Sequence, residues 1–257
     1  MKALKLAVVV VGALTWQGCG APGSKVTSSE TENVFGRDDR VALTTGDYPW
    51  RTIGKVFGMG CTGTLISKDL VLTAAHCVVD KGTMRTDITY FRPNYKAGRA
   101  VDESWITHVW WGTPDPQANR GLDWAILKLQ KPLGEKYGWL GIHNVDTTSF
   151  PPQLSVAGYS SDFMGGNTAG VHHNCDAKKR IEASNVILHD CDTSRGSSGG
   201  PALRVYNNQV MIVGVNVAER RDGGDTSLKL PGYEEKHANI VITTKDLIKK
   251  VHELLGN

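Results

Sequence analysis

A serine lies within a run of glycines at residues 196–201, which read Gly-Ser-Ser-Gly-Gly-Pro. Acyl transfer by a serine requires a hydroxyl on a tight turn, an imidazole that takes its proton, and a buried carboxylate that holds the imidazole in one tautomer. It also requires backbone N–H groups directed at the developing oxyanion, and each such donor contributes about 3 kcal/mol. Glycines on both sides permit the necessary backbone angles. We therefore predict that Ser198 is a nucleophile and that the N–H groups of Gly196 and Ser198 form an oxyanion hole.

Two upstream segments supply the other groups that this chemistry needs. Residues 70–77, Leu-Val-Leu-Thr-Ala-Ala-His-Cys, form an apolar run that leads to His76, and Asp123 stands at the start of another apolar run. A buried carboxylate is costly unless it accepts hydrogen bonds, and an imidazole N–H is a suitable donor. We predict that His76 is the general base and acid and that Asp123 orients it. Asp102 and Asp115 are nearby alternatives for the carboxylate.

Together these three segments resemble the signature segments of trypsin-like serine peptidases, in that family's chain order of His, Asp and Ser. Stretches near residues 34–41, 48–51, 61–66 and 191–193 are similar to the bacterial glutamyl endopeptidase group. The resemblance implies an all-β, chymotrypsin-like fold: two antiparallel six-stranded β-barrels with the active site in the cleft between them. It also implies serine endopeptidase activity on protein or peptide substrates, and a disulfide that joins Cys61 to Cys77 beside the histidine.

The resemblance further indicates where a substrate side chain would bind, at Asp192, Thr193 and Asn216. Asn216 stands where the glutamyl group has a histidine, so selectivity for glutamate stays open. Asp192 stands where trypsin has the aspartate that selects lysine and arginine, although the glutamyl group can carry aspartate there without that selectivity. Ser197 replaces the aspartate that precedes the nucleophile in trypsin, so the zymogen switch built on that aspartate does not carry over.

The cysteines are consistent with export to an oxidising compartment. Cys61, Cys77, Cys175 and Cys191 form two local pairs, each separated by 16 positions, and Cys19 is left over. Each loop closure would stabilise the fold by about 3 kcal/mol on the chain-entropy model. Reduced core cysteines are the alternative, and whether Cys175 and Cys191 pair stays open.

The first 33 residues are predicted to be a leader. A basic start and an apolar stretch too short to span a bilayer predict a signal peptide over residues 1–19. The sequence Trp-Gln-Gly-Cys19 resembles a lipoprotein cleavage box, so we expect either lipidation of Cys19 or simple cleavage nearby. Residues 20–33 are small and polar, which indicates a disordered leader or pro-segment with a cleavage site before Val34. We expect a secreted or periplasmic protein or, through Cys19, a bacterial outer-membrane lipoprotein.

Short β-rich runs separated by Gly, Pro and Asp favour barrels or sandwiches over a parallel α/β sheet. Strands are predicted at residues 51–57, 62–66, 70–73, 88–91, 105–111, 124–129, 154–159, 185–189, 201–205, 210–217 and 239–243. Apolar residues at helical spacing from Leu247 to Leu255 predict a C-terminal helix capped by Thr243 or Thr244. We assign residues 34–140 to an N-terminal barrel and residues 141–257 to a C-terminal barrel with this helix.

Charge and ligand spacing narrow the range of partners. A formal net charge of +3 is too small to argue for nucleic acid. The stretch His172-His173-Asn174-Cys175 has no second cluster at ligand spacing, so we predict no metal site. The acyl-transfer mechanism needs no cofactor, and we predict none. We expect a monomer whose partners are protein or peptide substrates, with membrane contact only through Cys19.

Two other functions remain as alternatives. Residues 196–200 also fit Gly-x-Ser-x-Gly, the turn of α/β-hydrolase esterases, but that turn leads into a helix, whereas a β-like run follows here. The second alternative is a trypsin-like fold kept as a non-catalytic binding or adhesion module. Such proteins usually lose a catalytic residue, and the chain has all three. A serine endopeptidase is therefore favoured.

Overall fold

The computed structural model of the protein describes residues 32–85, 87–220 and 230–256. The predicted signal peptide, Cys19 and most of the predicted leader lie outside the described residues. In the described ranges, no helix has both the length and the apolar character needed to cross a bilayer. The strands there are, in chain order, β1 (Glu32–Asn33), β2 (Val41–Ala42), β3 (Ile53–Val56), β4 (Cys61–Leu65), β5 (Leu70–Thr73), β6 (Val79–Asp80), β7 (Thr83–Met84), β8 (Tyr90–Pro93), β9 (Ser104–Trp111), β10 (Ala125–Leu129), β11 (Gly141–Ile142), β12 (Gln153–Gly158), β13 (Gly170–Ile181), β14 (Val186–His189), β15 (Thr193–Ser194), β16 (Pro201–Tyr206), β17 (Gln209–Glu219) and β18 (Asn239–Thr243).

Helical structure is sparse in these described ranges. The α-helices are α1 (Gly134–Tyr137) and α2 (Leu247–Leu255). Single 3₁₀ turns connect several strands: Trp50–Thr52, Ala75–Cys77, Arg120–Leu122, Met164–Gly166, Glu182–Ser184 and Glu235–His237.

The first barrel closes in the order β10-β5-β4-β3-β8-β9. Every residue of β4 and β5 is buried, as their apolar and small residues require. The ring of Phe91 is fully buried in this barrel, and a Cβ on Gly54 would lie only 2.5 Å from it. Burial of such a ring contributes about 1.5–3 kcal/mol. Glycine at position 54 therefore makes room for the aromatic side chain that packs the interior.

The second barrel is a ring in which β12, β13, β14, β18, β17 and β16 pair in that order, and β16 pairs again with β12. All pairings within this ring are antiparallel. Strand β11 joins β17 in parallel, and β2 joins β13 at the outside. The predicted all-β architecture of two antiparallel six-stranded barrels with a C-terminal helix is confirmed.

The 12-residue strand β13 is absent from the strands predicted from sequence. Its residues are mostly polar, and only three of the twelve are buried, so no two-residue apolar period marks it. Asn174 has a φ of 55°, and the register with β12 shifts beside it, which indicates a bulge. Because its backbone pairs with β2, β12 and β14, tertiary pairing rather than local propensity makes this segment a strand.

The segment that precedes the first barrel lies against the second. Strand β1 pairs with β15, and β2 pairs with β13. The buried guanidinium of Arg40 donates to Asp38 over 2.9 Å and to Asp162 over 2.8 Å. The sequence-based division at residue 140 assigned this segment to the first barrel, whereas its strand pairing is with the second. Hydrogen bonds between residues more than a hundred positions apart decide where it lies.

Helix α2 buries the apolar face that its spacing predicts, with three residues in the core: Leu247, Ile248 and Val251. The predicted cap is wrong, because no side chain caps its first turn. The Thr244 hydroxyl instead donates to the carbonyl of His143 over 2.6 Å and accepts from the N–H of Val145 over 2.9 Å. Because the Thr244 hydroxyl bonds to these two backbone groups, it does not cap the helix.

Candidate active site

His76 lies in the 3₁₀ turn that follows the buried strand β5. Its Nδ1 is 2.9 Å from Oδ2 of Asp123, and its backbone N–H donates to Oδ1 of the same carboxylate over 2.9 Å. Because the carboxylate accepts at Nδ1, that nitrogen carries the proton in the neutral ring, and Nε2 keeps the lone pair that a general base needs. The imidazole is 28% exposed, whereas the carboxylate is fully buried.

Asp123 lies between the 3₁₀ turn Arg120–Leu122 and strand β10, and the fold gives it donors. Besides the two bonds from His76, it accepts one from Nη1 of Arg120 over 3.1 Å. The two alternative aspartates bond elsewhere. Asp102 accepts from the hydroxyl of Tyr137 over 2.7 Å, and Asp115 accepts from the N–H of Ala118 over 3.0 Å. Of the three candidate carboxylates, Asp123 is therefore the one bonded to His76.

The loop that carries Ser198 is held by the other barrel. The Ser198 carbonyl accepts from the N–H of Thr62 in β4 over 2.9 Å, and the Thr62 hydroxyl donates to the carbonyl of Gly196 over 2.8 Å. The Sγ of Cys77, the residue after His76, lies 3.8 Å from the Ser198 carbonyl oxygen. The serine loop and the histidine turn are thus in contact across the boundary between the barrels.

Gly196 has a φ of 97°, and a Cβ there would lie 2.4 Å from the carbonyl oxygen of Tyr159, so this position requires glycine. The N–H groups of Ser197, Gly199 and Gly200 donate to backbone carbonyls. Within the described chain, those of Gly196 and Ser198 have no acceptor. Two unpaired N–H groups on either side of residue 197 are what an oxyanion hole requires.

The Ser198 hydroxyl has no hydrogen-bond partner among the described residues, His76 included. Hydrogen bonds of this kind often tighten only when substrate binds. A groove of about 670 Å³ adjoins the exposed edge of His76. Its other lining residues are Met59, Val79, Asp80, Lys81, Arg85, Pro114, Asp115, Pro116 and Gln117.

Both cysteine pairs form disulfides, which settles the question that the sequence left open for the second pair. Cys61 is bridged to Cys77, and Cys175 to Cys191. The first bridge ties β4 to the histidine turn, and the second ties β13 to the segment before β15. Each closed loop contributes about 3 kcal/mol on the chain-entropy model.

The three residues expected to bind a substrate side chain are all buried. The carboxylate of Asp192 accepts hydrogen bonds from the N–H groups of Phe35 and Asp39, each over 2.9 Å, and lies 3.1 Å from Nδ1 of His172. Thr193 lies in β15, paired with β1. The Asp192 carboxylate is thus hydrogen-bonded to the N-terminal segment and does not face open space.

Asn216 belongs to a buried chain of neutral hydrogen bonds that the sequence did not reveal. Its Oδ1 lies 3.3 Å from Nε2 of His189, and its Nδ2 donates to Oγ of Ser197 over 3.1 Å. The other nitrogen of His189 accepts from the N–H of Cys191 over 3.2 Å. Complete burial lowers the pKa of His189 to about 3. The residue before the predicted nucleophile is therefore held by an amide and not by a charge.

Sequence patterns did not single out His189 or Arg120, and His172 stood out only as a member of a metal cluster that was rejected. His189 ends an apolar run that reads as an ordinary buried strand, and Arg120 lies in a polar loop, so neither offers a local signal. The one indirect signal was Ser197: without an aspartate before the nucleophile, another group must hold that loop.

Among the residues that the structure describes, two groups of side chains have the composition of a metal site. In the first, Cys61 and Cys77 are bridged to each other and cannot ligate as thiolates. In the second, Asp39, His172 and Asp192 bring ligand atoms within 4.8 Å of one another, but the Asp192 oxygens already accept two backbone N–H bonds.

Known proteases resemble this chain in sequence. The model of the Trypsin family matches residues 40–240. Serine protease 23 of Bos taurus is 30% identical over 218 residues, which are 74% of this chain and 56% of that protein. Glutamyl endopeptidase of Bacillus licheniformis is 26% identical over 192 residues, which are 71% of this chain and 58% of that protein. The chain thus spans little more than half the length of these relatives.

Solved structures share the fold. The structure of Glu endopeptidase in complex with MPD aligns with a TM-score of 0.70 at 24% identity, covering 87% of this chain and 100% of that one. Protease Anisep from Arthrobacter nicotinovorans aligns with a TM-score of 0.63 at 19% identity, covering 81% of this chain and 96% of that one. At these identities the likeness concerns the fold.

Proposed function

Because the chain belongs to the trypsin family, we propose that it is a serine endopeptidase that cleaves peptide bonds through an acyl-enzyme on Ser198. The observation that carries the proposal is the bond from Nδ1 of His76 to the fully buried carboxylate of Asp123, in a turn that contacts the Ser198 loop. The unpaired N–H groups of Gly196 and Ser198 support the same conclusion.

The mechanism follows from these groups. Nε2 of His76 takes the proton of the Ser198 hydroxyl as Oγ attacks the peptide carbonyl carbon. The buried carboxylate of Asp123 holds the ring in the Nδ1–H tautomer and stabilises the imidazolium that forms. The N–H groups of Gly196 and Ser198 donate to the oxyanion, which is worth about 3 kcal/mol for each donor. His76 then returns its proton to the leaving amine, and water hydrolyses the acyl-enzyme by the same route.

The two alternative functions have less support. In an esterase of the α/β-hydrolase type a helix follows the nucleophile, whereas here β16 starts at Pro201. A non-catalytic binding module has no need for a buried carboxylate bonded to the histidine or for unpaired N–H groups beside the serine.

Substrates are proposed only as a class, proteins and peptides. One relative is named Glutamyl endopeptidase, but Asn216, at the position where the resemblance implies a histidine in that group, bonds to Ser197 in this chain. Selection of lysine or arginine by Asp192 would require a substrate cation to displace the hydrogen bonds from Phe35 and Asp39. We therefore assign no preferred residue before the cut.

We also propose that the protein is exported and matures by loss of its leader. Two disulfides favour an oxidising compartment, and lipidation of Cys19 remains part of the hypothesis. Asn33 and Val34 are both buried here, so cleavage between them would require this segment to be undocked. Mass spectrometry of the exported protein tests this, and an active form that retains residues 20–33 would contradict it.

A fluorophosphonate probe tests the central proposal. The purified protein should be labelled at Ser198, and the Ser198→Ala variant should not be labelled. Digestion of a peptide library then gives the residue that precedes each cut. A folded, leader-free protein that neither reacts with the probe nor cleaves any peptide in the library would refute the endopeptidase assignment.

A further inference from the structure

An arginine contacts the proposed triad from outside it. Arg120 begins the 3₁₀ turn that leads to Asp123. Its Nη1 donates to Oδ2 of Asp123 over 3.1 Å, and the same oxygen accepts the bond from Nδ1 of His76 over 2.9 Å. The Arg120 side chain is 31% exposed, whereas that of Asp123 is fully buried. One carboxylate is thus shared between the imidazole and a permanent cation.

The turn that carries Arg120 is fixed by close packing. A Cβ on Gly121 would lie 1.6 Å from the carbonyl oxygen of Ser184. This backbone therefore lies directly against the turn Glu182–Ser184 of the second barrel. The backbone position from which the Arg120 side chain reaches the carboxylate is therefore fixed.

Sharing of the carboxylate has two physical consequences. A buried carboxylate needs donors, and the bond from Arg120 limits its rotation so that Oδ2 stays directed at Nδ1 of His76. The positive charge also offsets part of the negative charge that would otherwise favour an imidazolium.

Other charged groups face His76 from neighbouring elements and line the adjoining groove: Asp80, Lys81, Arg85 and Asp115. They are of both signs and lie at the solvent-facing wall, where water and salt weaken their effect. Among the described residues, only Arg120 and His76 bond to the Asp123 carboxylate. The field of Arg120 therefore acts at the point where the histidine is held.

We propose that Arg120 is a positioning residue of the endopeptidase: it orients Asp123 and offsets part of the negative charge of the carboxylate that holds His76. The inference rests on the function proposed above for this site.

The pH dependence of kcat/KM tests the proposal on a peptide that the native protein cleaves, measured between about pH 4 and pH 9. In Arg120→Met the acid limb should move to higher pH by about 0.5–1 unit, because the offsetting charge is lost. Arg120→Lys keeps that charge, so its acid limb should stay near the native position even if the plateau falls. Arg92→Met is the matched control, since Arg92 is 27% exposed and pairs with Glu103 in the same barrel, and its acid limb should not move.

An unmoved acid limb in Arg120→Met, with the native protein active, would overturn the role of Arg120 and leave the endopeptidase proposal intact. A native protein that neither cleaves peptides nor reacts with fluorophosphonate would overturn the endopeptidase proposal instead. If the methionine variant does not fold, Arg120→Gln replaces it. If turnover is too slow, the NMR titration of the His76 ring in a Ser198→Ala background should show the same displacement, and an unchanged midpoint there would overturn the inference.

Discussion

Two buried aspartates in this molecule each lie beside a histidine Nδ1, yet their surroundings differ. Asp123 is bonded to His76 at 2.9 Å, and Asp192 lies 3.1 Å from His172. The first pair stands where the two barrels meet, with a groove at the exposed edge of the imidazole. The second pair stands where the N-terminal segment docks on the second barrel, and the carboxylate accepts backbone bonds from that segment.

The difference shows that a carboxylate–imidazole pair is not in itself a catalytic device. His76 keeps Nε2 for a proton while Nδ1 is held, and its turn contacts the Ser198 loop. In the other pair, Nδ1 of His172 also lies 2.9 Å from the N–H of Asp192, so the neutral ring accepts that bond. Burial lowers the pKa of His172, but the nearby Asp192 carboxylate outweighs it and the pKa is raised. The second pair anchors a segment of chain.

The largest expected difference between the two pairs concerns Ser198. Ser198→Ala should lower kcat by about a millionfold, because it removes the group on which only the first pair can act. The measurement is kcat on a peptide substrate, with the melting temperature as the control for folding. A loss of less than about a hundredfold would mean that another group is the nucleophile.

Asp123→Asn should lower kcat by about 10⁴-fold, because an amide can favour the wrong imidazole tautomer while the geometry is retained. The matched substitution Asp192→Asn should leave kcat within about tenfold of the native value, since among the described residues no hydrogen bond joins its histidine to the serine loop. Equal losses in the two variants would contradict the distinction between the pairs.

Asp192→Asn should instead lower the free energy of unfolding by about 2–4 kcal/mol, because two backbone N–H groups lose a charged acceptor. Denaturant titration measures this loss. Limited proteolysis should also detect faster cleavage near Phe35 and Asp39, whose N–H groups the carboxylate holds. Native stability together with a protected N-terminal segment would show that this carboxylate is not an anchor.

His189 is a third case to set beside His76 and His172, because it is a buried histidine with an amide partner and no carboxylate. Its pKa falls to about 3 in the folded protein, against 6.5 as the ordinary value. Below pH 6.5, His189 therefore binds a proton in the unfolded chain but stays neutral in the folded chain. The free energy of unfolding consequently falls as the pH falls. From pH 6.5 to pH 5 this loss should be about 2 kcal/mol.

The test is the unfolding free energy at these two pH values in the native protein and in His189→Gln. The variant should lose less stability on acidification by about 2 kcal/mol, since glutamine does not titrate. His252→Gln, at an exposed position of α2, should retain the native dependence. Identical pH dependence in the native protein and His189→Gln would mean that His189 does not resist protonation in the folded state.

Much of the architecture was predictable because most barrel strands are marked in the local sequence by short apolar runs between turn residues. Strands β5 and β18 have the bounds expected from their apolar residues, and the others that were predicted differ from the expected bounds by a few residues at their ends. Strand β13 was not predictable, since its polar residues carry no period and its neighbours in the sheet define it. The N-terminal segment was misplaced for the same reason: sequence adjacency suggested the first barrel, but its hydrogen-bond partners belong to the second.

By itself, the sequence singled out His76, Asp123 and Ser198 as candidates for acyl transfer, because each lies in a short segment with small residues around a turn or apolar residues around a charge. It left Asp102 and Asp115 open as alternatives to Asp123, and the hydrogen bond to His76 distinguishes Asp123 from them. Only the tertiary structure decided what Asp192, Asn216 and Arg120 do. Each is defined by a partner on another element or across a turn, and a hydrogen bond to a buried group depends on distance and direction in space. Such contacts leave no pattern along the chain.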